Sequence, residues 1–191
     1  MQHPLAVFAA AAVSTSLAPL LQTASASIAS ADLAPRAVCH GQAAPTASLT
    51  VQVRAMRCLI NWARRHNGRS LLRDQSQLDR SASIRGNDIR RCQDFSHTAC
   101  GQPFVLAFSV VGYFVGASSV GENLAWGQGR RGTAREAMEG WLHSPAHREI
   151  LFTAGWRDSG VSLVKAPSLF GRRNVSVRVA QFGHRDSTLH P

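Results

Sequence analysis

The sequence predicts an α+β domain, and three observations predict it. Val53, Met56, Leu59, Ile60 and Ala63 recur at helical spacing. Val161, Leu163, Val175, Val177 and Val179 alternate with polar residues, the period of paired antiparallel strands. Helical and strand segments do not alternate as βαβ units, so a doubly wound parallel sheet is excluded and a layered arrangement is expected.

Along the chain, the apolar run from Leu5 to Leu21 is broken by Ser14, Thr15, Ser16 and Pro19, which suits a signal-peptide core better than a membrane span. Thr23-Ala24-Ser25-Ala26 offers small residues for cleavage after Ala26, although no Lys or Arg precedes the run. Residues 1–26 are therefore expected to be a cleaved leader. Residues 27–47, rich in Ala, Ser and Pro, read as a linker tied down only by Cys39. Ser48 or Thr50 caps the first helix and Asn67-Gly68 ends it. A second helix is expected from about Ser76 to Cys92, with Leu78, Ala82, Arg85 and Ile89 on one face and Gly86 weakening it. Residues 98–120 show no clear period. Glu122 to Gly127 reads as a short strand. Thr133-Ala134-Arg135-Glu136 is a capping box that opens a third helix through Ala137, Met138 and Trp141. Ser144-Pro145 breaks it and caps a fourth. The two final strands are joined through a turn containing Gly171.

The chain has 191 residues, 45% hydrophobic and 17% charged, which fits one globular domain and excludes a wholly disordered chain. The formal net charge is +10, and Lys165 is the only lysine among 21 basic residues. Such a balance favours anionic partners. The arginines are scattered in short pairs such as Arg90-Arg91, without a nucleic-acid-binding signature, so no nucleic acid is expected as a partner.

Cys39, Cys58, Cys92 and Cys100 contain no Cys-x-x-Cys spacing, so zinc ribbons and redox dithiols are disfavoured. Behind a leader they read as disulfides. Of three pairings, Cys39–Cys58 and Cys92–Cys100 are preferred because each closes a short local loop. The second encloses Phe95-Ser96-His97 and is worth about 2.5 kcal/mol of chain entropy.

Several motifs do not carry their usual chemistry. Gly127 to Gly132 matches G-x-G-x-x-G but lies outside any βαβ unit and lacks the acidic residue about 20 positions on, so a turn is the reading. His143 and His147 are four apart, but Ser144-Pro145 between them separates two helices. Asn174-Val175-Ser176 falls in an expected strand and is not read as a glycan acceptor. The segment Phe104 to Val115, with Phe104, Phe108, Tyr113 and Phe114, suits a lipid contact if exposed; core packing is preferred.

Phe95-Ser96-His97, then Gly121-Glu122-Asn123-Leu124-Ala125-Trp126-Gly127, then Trp141 followed by Ser144-Pro145-Ala146-His147-Arg148-Glu149-Ile150-Leu151 occur in this order. Together they resemble the CAP superfamily of cysteine-rich secretory proteins, antigen-five allergens and plant pathogenesis-related proteins. The final motif is similar to its bacterial secreted, SCP-like branch. Gly155 to Val161 fits the strand entry after the last helix. The resemblance covers about residues 50–183 and implies a three-layer α-β-α sandwich with a central antiparallel sheet. On that reading 48–185 is the domain and 186–191 a tail.

The resemblance also implies a central cleft lined by two histidines and two glutamates. His97 matches the first histidine, Glu122 the glutamate of G-E-N, and His147 the second histidine. The second glutamate has no match, because Leu142, His143 and Ser144 follow Trp141 and Glu139 precedes it. Two imidazoles and a carboxylate make an adequate ligand set for a divalent metal such as zinc, with one position open. A hydrolytic site needs a further base, and the H-E-x-x-H arrangement is absent. The family is linked to sterol or lipid binding, defence and host interaction. The expected function is therefore a secreted, non-catalytic binding module for lipid, anionic cell-envelope or partner ligands through His97, Glu122 and His147. The alternative is a metal-dependent extracellular hydrolase using the same three residues.

Overall fold

The computed structural model describes residues 31–114 and 118–185. The expected leader 1–26, the first residues of the expected linker, Val115 and the tail 186–191 lie outside the described residues. In chain order the elements are α1 (Leu49–His66), β1 (Arg73–Asp74), α2 (Ser76–Cys92), α3 (Leu106–Val110), β2 (Ser118–Gln128), α4 (Ala134–Leu142), α5 (Pro145–Phe152), β3 (Asp158–Leu169) and β4 (Arg172–Arg185). Two short 3-10 turns, Ala99–Gly101 and Gly129–Gly132, join them.

The four strands form one sheet in the order β1-β3-β4-β2. β4 is antiparallel to both its neighbours, from Leu169↔Arg172 to Asp158↔Gly183 on one side and from Gln128↔Val175 to Ser118↔Arg185 on the other. β1 adds two residues in parallel to the start of β3, so the sheet is mixed at that edge rather than wholly antiparallel.

Strand alternation sends successive β4 residues to opposite faces. Val175, Val177 and Val179 pack with Ala82 and Ile89 of α2. Ala180 and Phe182 pack with Met56, Leu59 and Ile60 of α1 and with Met138 and Trp141 of α4. Helices therefore cover both faces, and the expected α-β-α layering is present.

Local chemistry sets the helix boundaries. Ser48 Oγ accepts from Val51 N at the start of α1, and Asn67 N–H closes its end on Ala63 O. Thr133 Oγ1 accepts from Glu136 N at the start of α4. Pro145 occupies the first turn of α5, but the Ser144 side chain makes no capping bond there; its backbone oxygen takes Arg148 N instead. Gly86 does not mark a weak point of α2. A Cβ at Gly86 would lie 2.7 Å from Val164 Cγ2, so its bare backbone lets α2 lie close against the sheet.

The described residues of the segment without a period form a 3-10 turn, the five-residue α3 and the first residues of β2. α3 is too short to leave a helical pattern in sequence. Phe108 and Tyr113 are fully buried and cluster with Leu78, while Phe104 and Phe114 are half-buried against them. The rings thus pack inward, and Val105, Leu106 and Val110 are the exposed apolar residues of this segment. No helix among the described residues is long and apolar enough to cross a membrane.

Both preferred disulfides are present, Cys39–Cys58 and Cys92–Cys100. The segment before α1 is held by more than Cys39. Leu33, Ala34 and Gln42 are buried, Arg135 donates to Ala34 O and Gln42 Oε1, and Asp32 accepts from Asn67 and Arg148. Described residues of the expected linker therefore pack as part of the domain.

Candidate functional site

Glu122 lies on β2 directly opposite Gln181 of β4. Its side chain is fully buried. A buried carboxylate is tolerated only when paired and hydrogen-bonded, and three groups meet that need. His97 Nδ1 lies 2.8 Å from Oε1, Gln181 Nε2 donates to Oε2 at 2.8 Å, and Arg85 Nε is 3.7 Å from Oε2. Arg85 comes from α2, is itself buried, and donates through NH2 to Phe104 O. Arg85 and Glu122 thus form a compensated buried pair at the base of the site.

His97 sits beyond the end of α2, in the loop closed by Cys92–Cys100. That loop is ordered from within: Ser96 Oγ donates to Asp94 Oδ2 and accepts from Thr98 N. The His97 side chain is 51% exposed, and its ring stands edge-on to Phe104. About half of the His97 side chain is therefore accessible while Nδ1 is anchored on Glu122.

His147 occupies the first turn of α5. Its carbonyl accepts from Asn123 Nδ2, so the residue after Glu122 fixes the start of that helix. The ring Nδ1 is buried with no hydrogen-bond partner. Burial, and then the nearby charge of His97, hold the His147 imidazole below its ordinary pKa. The neutral ring is thereby favoured.

The structure joins His97 and Glu122 by a direct bond and brings His147 within the electrostatic reach of His97. Among the described residues, however, no three His, Cys, Asp or Glu side chains are placed to hold a metal ion. Both Glu122 oxygens are already engaged, and a cation beside them would face the Arg85 guanidinium. The residues in this arrangement do not fit the expected three-ligand zinc set. His143 is exposed at the end of α4, with Nδ1 on Glu139 O, and does not join His147. Glu139 is exposed and supplies no second carboxylate beside Glu122.

Two members of the site were not assigned to it from sequence. Arg85 stands out as a cation on the apolar stripe of α2. Gln181 continues the inward alternation of Val175, Val177 and Val179, where a polar residue signals a buried partner.

No protein-family model matches the sequence, and no curated protein matches it. Solved structures do. An outer surface protein of Borrelia burgdorferi superposes with a TM-score of 0.62 at 18% identity, covering 73% of this chain and 97% of that one. An extracellular protein containing an SCP domain from Bacillus anthracis gives 0.57 at 20% identity, over 71% of this chain and 41% of that one. The fold is that of SCP domains. A cysteine-rich secretory protein of Staphylococcus aureus agrees, with a TM-score of 0.56 at 15% identity over 74% of this chain and 40% of that one. This chain thus spans about two fifths of the Bacillus and Staphylococcus proteins, and its SCP fold is what the likeness establishes.

Proposed function

We propose that this chain is an extracellular SCP-fold binding module that holds a lipid, cell-envelope or partner ligand at the His97, Glu122 and His147 cleft without turning it over. The observation that carries this reading is the burial of Glu122 among its three partners. A general base needs a lone pair within reach of the proton it takes. The Glu122 oxygens face His97, Gln181 and Arg85 instead, so the carboxylate serves to orient His97. What this site offers a ligand is one half-exposed imidazole and a second imidazole whose neutral form is favoured.

Placement outside the cell is supported by two disulfides and by the apolar leader expected at 1–26. The extracellular, outer-surface and secretory character of the similar structures agrees with it. The net charge of +10 suits an anionic envelope component.

Native mass spectrometry of residues 27–191, produced through an oxidising compartment, tests the reading. A retained non-covalent ligand that is lost in His97→Ala, with no turnover, is the expected result. A stoichiometric metal lost in His97→Ala, together with hydrolysis of a cell-wall peptide, would overturn it in favour of a metallohydrolase.

A further inference from the structure

We infer that the tip of the β3–β4 hairpin, with Trp126 beside it, docks this chain on an anionic lipid bilayer. This surface is not part of the His97 cleft, and the inference does not depend on the function proposed there.

The tip is a two-residue turn, Phe170-Gly171, between the paired residues Leu169 and Arg172. Both turn residues have positive φ, 52° and 70°. Such a turn favours Asn or Asp before Gly, and a bulky side chain adopts that conformation only at a cost. Phe170 holds it nonetheless, and without being buried, for it is 38% exposed. Its ring stands edge-on to Trp126, with centroids 5.6 Å apart, and Trp126 is 36% exposed. The fold therefore keeps two large aromatic rings together at the surface, where a small polar residue would close the turn with less strain. Beyond the turn the space is open: apart from its chain neighbours, no atom lies within 4 Å of a Cβ placed on Gly171.

The tip is braced against the end of α2. Gln93 caps that helix in a left-handed conformation, φ 53°. Its Oε1 accepts from Phe170 N–H at 3.0 Å, and its Nε2 donates to Ser168 O and to Arg90 O. The rings are thus presented by a fixed turn, and little ordering entropy is lost when they are engaged.

The charge around the rings is of one sign. Arg172 and Arg173 follow the turn directly, and Arg90 lies in the last turn of α2, where its carbonyl holds Gln93; all three are exposed. Among the described residues, no carboxylate pairs with any of them. Asp88 and Asp94, the acids closest to Arg90 in sequence, are engaged by Arg91 and Ser96. Aromatic rings at headgroup depth, with arginines among the phosphates, are how a protein surface rests on an anionic bilayer. Trp126 shares a face of β2 with Glu122, about 13 Å along the strand, so docking brings the bilayer close to the His97 cleft.

Co-sedimentation of the exported chain with vesicles tests the surface, using phosphatidylcholine alone and equal parts phosphatidylcholine and phosphatidylglycerol. Binding to the anionic vesicles only, weakened by salt, is expected. Phe170→Asn supplies the residue the turn favours, so Tm should not fall, while binding should weaken about tenfold. Arg172→Gln combined with Arg173→Gln, at two exposed positions, should weaken it about thirtyfold. Trp126→Phe should keep binding but remove most of the quenching of tryptophan fluorescence by bromine-labelled lipid. Equal binding to both vesicles, unchanged binding in Phe170→Asn, or a loss in Val110→Ser instead would overturn the inference. So would capture of a soluble acidic polysaccharide, or self-association through the tip, with no binding to vesicles.

Discussion

His97 and Glu122 share a 2.8 Å contact yet differ sharply in exposure, the imidazole being half in solvent and the carboxylate wholly buried. Their substitution should therefore have unequal consequences. Glu122→Ala leaves Arg85 buried without its carboxylate and Gln181 without its acceptor, and is expected to cost about 3–5 kcal/mol. His97→Ala removes an exposed partner and is expected to cost about 1 kcal/mol or less. Urea denaturation of the two variants, compared at constant slope, measures the difference.

His147 makes stability depend on pH. Its folded pKa lies below the ordinary 6.5 because burial and His97 disfavour the cation. The unfolded chain then binds more protons than the folded one as pH falls through that region. Stability should decline as pH drops below about 6.5, until the folded ring itself titrates. His147→Gln should flatten this part of the curve. Midpoints of chemical denaturation from pH 7.5 to 5, with and without the substitution, provide the check.

Gly160 of β3 faces the backbone of α2. A Cβ there would fall 2.2 Å from the carbonyl carbon of Leu78 and 2.4 Å from Asp79 N. Main-chain atoms cannot swing aside as a side chain can, so Gly160→Ala should separate helix from sheet and cost about 3 kcal/mol. Thermal unfolding by circular dichroism would show it, and an unchanged midpoint would contradict the packing.

Opening the Cys92–Cys100 loop, eight residues in separation, should cost about 2.5 kcal/mol, and opening Cys39–Cys58, nineteen residues, about 3 kcal/mol. The first loss should also broaden the His97 resonances, because the loop that presents the ring is then held by hydrogen bonds alone. Paired Cys→Ser variants, followed by calorimetry and NMR, distinguish the two.

Phe108 and Val110, two residues apart on α3, should respond oppositely to serine. Phe108 is fully buried, and Phe108→Ser is expected to cost about 3–5 kcal/mol. Val110 is 67% exposed, and Val110→Ser should fall within about 0.5 kcal/mol of the parent. Loss of lipid binding in the second variant alone would identify the outer face of α3 as a contact surface.

The parts legible in sequence were those where one local rule acted alone. α2 runs from Ser76 to Cys92 as its periodicity predicts, and the Thr133 capping box starts α4 as written. His97 and Glu122 meet as the motif resemblance implies. β1 left no trace because two backbone-paired residues need no side-chain pattern. β2 begins at Ser118 because its register is set by β4, not by its own alternation. Gly86 misled in the other direction: helix propensity counts against it, while packing against Val164 requires it. Gln181 was visible only as a polar residue in an apolar alternation, and its partner lies 59 positions away.

β4 is the last strand among the described residues and an inner strand of the sheet. β2 and β3 both wait for it, since neither pairs with the other. A nascent chain that has emerged only as far as Phe170 holds its helices, the two-residue β1–β3 ladder and an unpaired β2. Its apolar faces stay uncovered until Arg172 to Arg185 arrive and close both seams in one event. Such a chain reaches its native state late and all at once, so holding it unfolded requires only that this one terminal ribbon be kept from docking.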